Sequence, residues 1–199
     1  MKSTAAAVVA VTLAGFASAC STPGNYIVTF YGYPDNDPPG PAIAYDCGRG
    51  SRAGGKGTYD DPVTIATAPG ELNKCEIVYL PFLTKYGRVE DYCAQCGKLT
   101  SHFSQSHSDF LEAKVLTATA SKIDSDWKHG QPHIDIWTGS SSQNGGQAQI
   151  DCENRLTPGG RYSIVRNPPK NYGVNAAPLF SPPNTCNTKN VYPNNPAHC

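Results

Sequence analysis

Three short stretches hold the side chains best suited to chemistry: Thr29-Phe30-Tyr31-Gly32, Glu90-Asp91-Tyr92-Cys93 and His133-Ile134-Asp135-Ile136-Trp137-Thr138-Gly139. Asp135 stands between Ile134 and Ile136, so in an extended strand its carboxyl points away from both isoleucines. A carboxylate set in an apolar strand is costly unless it is hydrogen-bonded or faces a wet cleft. Partial desolvation raises its pKa, which is what a general acid needs near neutral pH. Asp91 is the second candidate, as base or charge stabiliser, because glycosidic cleavage typically uses two carboxyls about 5–10 Å apart. The same aspartates would serve as acceptors of backbone hydrogen bonds that lock loops, and spacing alone leaves both readings open.

Aromatic rings could complete a sugar site, since their flat apolar faces suit pyranose rings. Tyr31, Trp127, His133 and Trp137 are the candidates for substrate binding, with Trp127 in a polar loop and Trp137 on the face of Asp135. His133 is expected to orient Asp135 or its loop by a hydrogen bond. His102 and His107 lack the spacing of a metal site, so no metal and no cofactor is expected. No Gly-x-Ser-x-Gly elbow occurs, which argues against a serine triad.

Short strands must position these groups. Residues 26–33 are β-branched and aromatic, and 63–67, 76–80, 86–91 and 133–138 read as further strands. Residues 147–152 and 160–165 are expected to complete a barrel. Gly48, Gly50, Gly54, Gly55 and Gly57 mark a loop with unusual backbone angles, and 109–120 is the one helix candidate. From 166 onward Pro and Asn dominate, with Pro168-Pro169 and Pro182-Pro183, which predicts an irregular arm over 166–199.

Composition sets the class. The 199 residues include 19 Gly, 17 Pro and 8 Cys, with 10% aromatic and 16% charged residues. This is too aromatic for a disordered chain and fits a loop-rich, strand-rich domain. Sixteen basic residues balance sixteen acidic ones without basic runs, which argues against a nucleic-acid partner. Lys2, an apolar run from Ala5 to Phe16 and Ala17-Ser18-Ala19 read as a signal peptide over 1–19; no segment is long enough for a membrane anchor. Cys20, Cys47, Cys75, Cys93, Cys96, Cys152, Cys186 and Cys199 all follow it, so disulfides are expected, with Cys186 and Cys199 stapling the arm. The pairing stays open. Cys93-Ala94-Gln95-Cys96 has no second Cys-x-x-Cys and reads as structural.

Thr29-Phe30-Tyr31-Gly32, the glycine-rich loop and His133-Ile134-Asp135-Ile136 resemble the Thr-Phe-Tyr-Gly and His-Phe-Asp-Leu signatures of expansins. Those proteins share a six-stranded double-psi β-barrel with family-45 endoglucanases and MltA-type lytic transglycosylases. The segments around Ala68-Pro69, Glu90-Asp91 and 133–139 are similar to the three-aspartate domain of the latter, with Asp91 on its second aspartate and Asp135 on its third. Ala68 stands where that pattern has its first aspartate, and Tyr92 and Cys93 replace its glycines. Tyr45-Asp46-Cys47 resembles the base element of family 45 only loosely; Asp46, Asp60 and Asp61 are read as structural.

The resemblance implies an all-β fold, a disulfide-stapled six-stranded double-psi barrel over 20–165 with one short helix and the C-terminal arm packed on it. The leader and the even cysteine count imply a secreted, extracellular protein, expected to be a monomer, and the resemblance implies a cell-wall polysaccharide as its partner. Asp135 and Asp91 would cleave a glycoside as in a hydrolase or lytic transglycosylase. The alternative is a non-catalytic expansin-like wall-loosening or glycan-binding module, or a secreted effector or protease inhibitor.

Overall fold

The structure, a computed structural model, describes residues 19–93, 132–196 and 198–199. Cys96, His102, His107, the helix expected over 109–120, Trp127 and nearly all of the leader segment lie outside the described residues.

Alternation dictates the strands. In β1 (Ile27–Tyr31), Val28 and Phe30 are buried in the main core, and in β5 (His133–Trp137) Ile134 and Ile136 join them. β2 (Val63–Thr67) adds Val63 and Ile65, β3 (Ile77–Leu80) adds Val78 and Leu80, and β4 (Lys85–Tyr92) adds Val89. Each such side chain removed from water is worth roughly 1.5–3 kcal/mol, and this burial drives the sheet to curl around them. With β6 (Val165–Arg166), the six-stranded sheet runs β1-β5-β2-β4-β3-β6. β1–β5 and β2–β4 are parallel, and β2–β5, β3–β4 and β3–β6 are antiparallel. The two edges approach each other. Tyr26 and Tyr162 exchange backbone bonds of 2.9 Å each, and Ser21 and Arg166 exchange bonds of 3.2 and 2.8 Å.

Two expected strands need correction. The segment 147–152 is not a strand but part of a helix, α1 (Gly146–Leu156), which buries Gln149, Cys152, Glu153 and Leu156. Those positions repeat at helical spacing, whereas Ala148, Ile150 and Cys152 alternate like a strand. The strand expected over 160–165 shrinks to β6 plus the isolated bridge at Tyr162.

The loop 41–57 lies over the outer face of the sheet. Its Ile43 and Ala53 pack on Tyr31, Ala66, Cys93 and Trp137. Gly55 is obligatory there: φ is +95°, and a Cβ would sit 1.8 Å from the Pro62 carbonyl oxygen. Buried Glu90 fastens this loop to the strands, accepting from Thr64 Oγ1 at 2.5 Å and pairing with Arg88 at 2.5 Å and Arg49 at 3.5 Å. Asp46 Oδ1 accepts backbone bonds from Gly48, Arg49 and Gly50, which hold its carboxyl below the usual range and give it a turn-forming role.

Disulfides Cys20–Cys199, Cys47–Cys75 and Cys152–Cys186 join described residues, and Cys93 is disulfide-bonded as well. Cys186 and Cys199 thus tie the arm to the body, as expected. Its short hairpin, β7 (Phe180–Ser181) with β8 (Thr185–Cys186), stands apart from the main sheet. Buried Lys85 also holds the arm: Nζ donates to the carbonyls of Lys56 (3.1 Å), Ala177 (2.9 Å) and Asn175. Burial lowers its pKa to about 8.

Candidate functional site

Residues paired across neighbouring strands point to one side of a sheet. Thr29 of β1 pairs with Asp135 of β5, Asp135 pairs with Ala66 of β2, and Ala66 pairs with Asp91 of β4. The β2–β4 register skips Glu90 between Val89 and Asp91, a bulge that brings Asp91 opposite Ala66. The outer face therefore carries one row: Thr29, Asp135, Ala66, Asp91. Small Ala66 separates the two carboxylates that the sequence singles out.

Their surroundings differ. Asp91 is 8% exposed and has both oxygens engaged. Tyr31 donates its hydroxyl to Oδ2 at 3.0 Å, and Ala44 and Tyr92 donate backbone N–H groups to Oδ1 at 2.9 Å each. Asp135 is half-buried and receives Thr29 Oγ1 at 2.8 Å on Oδ1. Burial pushes its pKa up to about 7, the Thr29 bond opposes this, and the charges of Asp35 and Asp91 add to the rise.

Thr29 also lies 2.8 Å from His133 Nε2. When Thr29 gives its only hydroxyl proton to ionised Asp135 it accepts here, and Nε2 then carries the imidazole proton. Burial lowers the His133 pKa to about 4, leaving the ring neutral near pH 7. His133 thus reaches Asp135 through Thr29. Its backbone N–H meets Glu71 Oε1 at 2.8 Å, and burial lifts the Glu71 pKa to about 7.

Tyr31 and Trp137 meet edge to face, with ring centroids 5.3 Å apart. Trp137 is only 2% exposed, and Tyr31 is buried with its hydroxyl committed to Asp91. Both rings shape the floor of the row and offer no open face for stacking. Hollows of about 510 and 210 Å³ lie beside Glu76–Arg166 and beside Arg161–Tyr162, and neither includes a residue of the row. Among the described residues, no group of three His, Cys, Asp or Glu side chains is placed to hold a metal ion, and no helix is long and apolar enough to cross a membrane.

Sequence reasoning missed Thr29 as an individual participant, along with Asp35 and Glu153. Asp35 is exposed and is oriented by the Gly32 N–H at 2.8 Å. Glu153 is 3% exposed and accepts Thr138 Oγ1 at 2.6 Å. Burial raises its pKa to about 8, against the Thr138 bond and with the added charge of Asp35. Two signals were available. Asp35 stands three residues after the glycine of the Thr-Phe-Tyr-Gly element, and a helical reading of 146–156 would have put Glu153 four residues after Gln149 on one face.

Comparison with known proteins gives a family without an assigned chemistry. The model of the DDB_G0273701 N-terminal domain matches residues 23–122 and 115–187. The uncharacterized protein DDB_G0273701/DDB_G0273221 of Dictyostelium discoideum is 30% identical over 155 residues, or 77% of this chain. The chain spans 55% of that relative's length. No solved structure matches. The family match covers the β1, β5 and α1 segments that carry the row and Glu153, and the chain belongs to the DDB_G0273701 N-terminal domain family.

Proposed function

We propose that this is a secreted protein that acts on a cell-wall polysaccharide, with Asp135 as the acid that cleaves a glycosidic bond. The observation that carries this is the half-buried Asp135 carboxyl on the outer face, protonated below about pH 7 and held by Thr29. Asp91, both oxygens engaged, acts as a fixed negative charge that helps stabilise developing positive charge on the sugar. A lytic transglycosylase needs only one carboxyl: Asp135 gives its proton to the departing oxygen, then takes one from the substrate hydroxyl that attacks the anomeric carbon. The parallel β1–β5 and β2–β4 pairs, and the edge bonds at Tyr26–Tyr162, support a double-psi barrel. The disulfides fit an oxidising, extracellular compartment.

The second reading, an expansin-like module that binds glycan without cutting it, is favoured by the saturation of Asp91, which leaves no second free carboxylate in the row. Incubation with insoluble glucan, chitin and peptidoglycan separates the two. Release of reducing ends or anhydro-sugars that disappears in Asp135→Asn supports cleavage, whereas pull-down without released product supports the module. Neither binding nor product removes both.

A further inference from the structure

His133 and Asp135 stand two residues apart on β5, so both side chains point to the outer face, with about 6.6 Å of strand between them. Thr29 joins them from β1. It pairs with Asp135 in the parallel register, and its Oγ1 lies 2.8 Å from Asp135 Oδ1 and 2.8 Å from His133 Nε2. A hydroxyl has one proton to give and lone pairs to accept with, and it turns to suit its neighbours. When Asp135 is ionised, Nε2–H donates to Oγ1 and Oγ1–H donates to Oδ1. When Asp135 is protonated, the same three atoms pair in the opposite sense: Oδ1–H donates to Oγ1, and Oγ1–H donates to a bare Nε2. Each of these atoms has a partner in both arrangements, so neither incurs the cost of a stranded donor or acceptor. The second arrangement places the imidazole proton on Nδ1, which has no hydrogen-bond partner among the described residues and belongs to a side chain 7% exposed.

We propose that Thr29 and His133 are positioning residues that form a proton route between solvent and Asp135, the imidazole changing tautomer each time Asp135 gains or loses its proton. After Asp135 has given its proton away, the Oγ1 proton moves to Oδ1, the Nε2 proton moves to Oγ1, and Nδ1 takes one proton from solvent. An O–H bond forms at Asp135, an N–H bond breaks at Nε2 and another forms at Nδ1. Thr29 ends with the hydroxyl it began with, and the proton gained from solvent balances the charge lost at Asp135. The proton enters two residues away from Asp135, so the route stays available while a substrate covers that carboxyl. The surrounding ionisable groups do not replace it. Asp35 and Asp91 act on Asp135 through their charge, and Arg161 acts on His133 in the same way. Tyr31 of β1 commits its hydroxyl to Asp91, Glu71 accepts from the His133 backbone N–H and not from the ring, and β2 carries no ionisable side chain. The use of the route in turnover rests on the reading of Asp135 above; the tautomer change does not.

The full chain, isotope-labelled at histidine ring nitrogens and aspartate carboxyls, is titrated by NMR from pH 5 to 9. A protonated and a bare ring nitrogen give well separated signals, so the tautomer is read directly. The expected result is a His133 ring that stays neutral throughout, with its proton on Nδ1 below the Asp135 midpoint near pH 7 and on Nε2 above it. Thr29→Val cuts the link: Asp135 still titrates, and the His133 tautomer no longer follows it. Thr29→Ser keeps a hydroxyl and restores the exchange, which a merely structural role for Thr29 would not produce. One tautomer on both sides of the wild-type midpoint overturns the proposal, as does an exchange that persists in Thr29→Val. Where a glycan is cleaved, Thr29→Val slows later turnovers and spares the first, and equal slowing of the first overturns the route. Tautomer exchange without any cleavage keeps the coupling and removes only its use in turnover.

Discussion

Strands β1 and β5 have two faces that follow different rules. Inward, Val28, Phe30, Ile134 and Ile136 pack in one apolar cluster, and their contribution depends on volume and burial. Outward, His133, Thr29 and Asp135 form a donor–acceptor chain in which each member needs a particular atom at a particular place. The inner face can exchange one apolar residue for another of similar size and keep the curled sheet. The outer face cannot trade even threonine for valine without breaking the chain. The inner side thus draws on apolar packing alone, while the outer side combines the smaller Tyr31–Trp137 cluster with polar specificity.

That contrast can be broken from either side, with thermal or denaturant unfolding as the common measure. Ile136→Ala, at the centre of the inner face, is expected to cost about 2–5 kcal/mol through lost burial and the cavity it leaves. Asp91→Ala comes next, at about 1–3 kcal/mol, because it strands the backbone N–H groups of Ala44 and Tyr92. Thr29→Val should cost about 1 kcal/mol while pushing the Asp135 pKa further up, which carboxyl NMR would register. A cost for Thr29→Val as large as that for Ile136→Ala would show that the outer chain is a structural element like the core.

Asp135→Asn, which keeps the shape of the protonated acid and removes its charge, is expected to stabilise the protein at pH 7 and to leave a distinct signature in pH. Asp135 keeps its proton in the folded state up to about pH 7, whereas the unfolded chain releases it near pH 4. The folded state thus binds more protons between those values, and this group makes the protein less stable as pH rises from 4 to 7. Glu71 and Glu153 act in the same direction. His133 opposes them: its lowered folded pKa makes stability rise with pH between about 4 and 6.5. Asp135→Asn should flatten the fall in melting temperature from pH 4 to 7, and an unchanged slope would mean that Asp135 titrates as an ordinary surface carboxyl.

The inner face is the part most legible in the sequence. Period-two alternation in Ile27–Tyr31 and His133–Trp137 locates the strands and says which way Asp135 points. Alternation has no information about the partner of a strand. That Asp135 and Asp91 flank Ala66 depends on a long-range register and a bulge at Glu90, neither of which is a local property. Helix α1 was hidden for a related reason. Two of its buried positions are Gln149 and Glu153, whose polarity masks the helical stripe, and they are tolerated inside because Thr138 and Gly145 supply partners.

Joining Cys20 to Cys199 closes the backbone into a covalent ring of nearly the whole described chain. A single cut by a protease between these two cysteines opens the ring into a line without dividing it. A nicked molecule would keep both pieces in one particle until a reductant reached the bond, so damage at any one exposed loop need not detach the strands that carry Asp135 from those that carry Asp91.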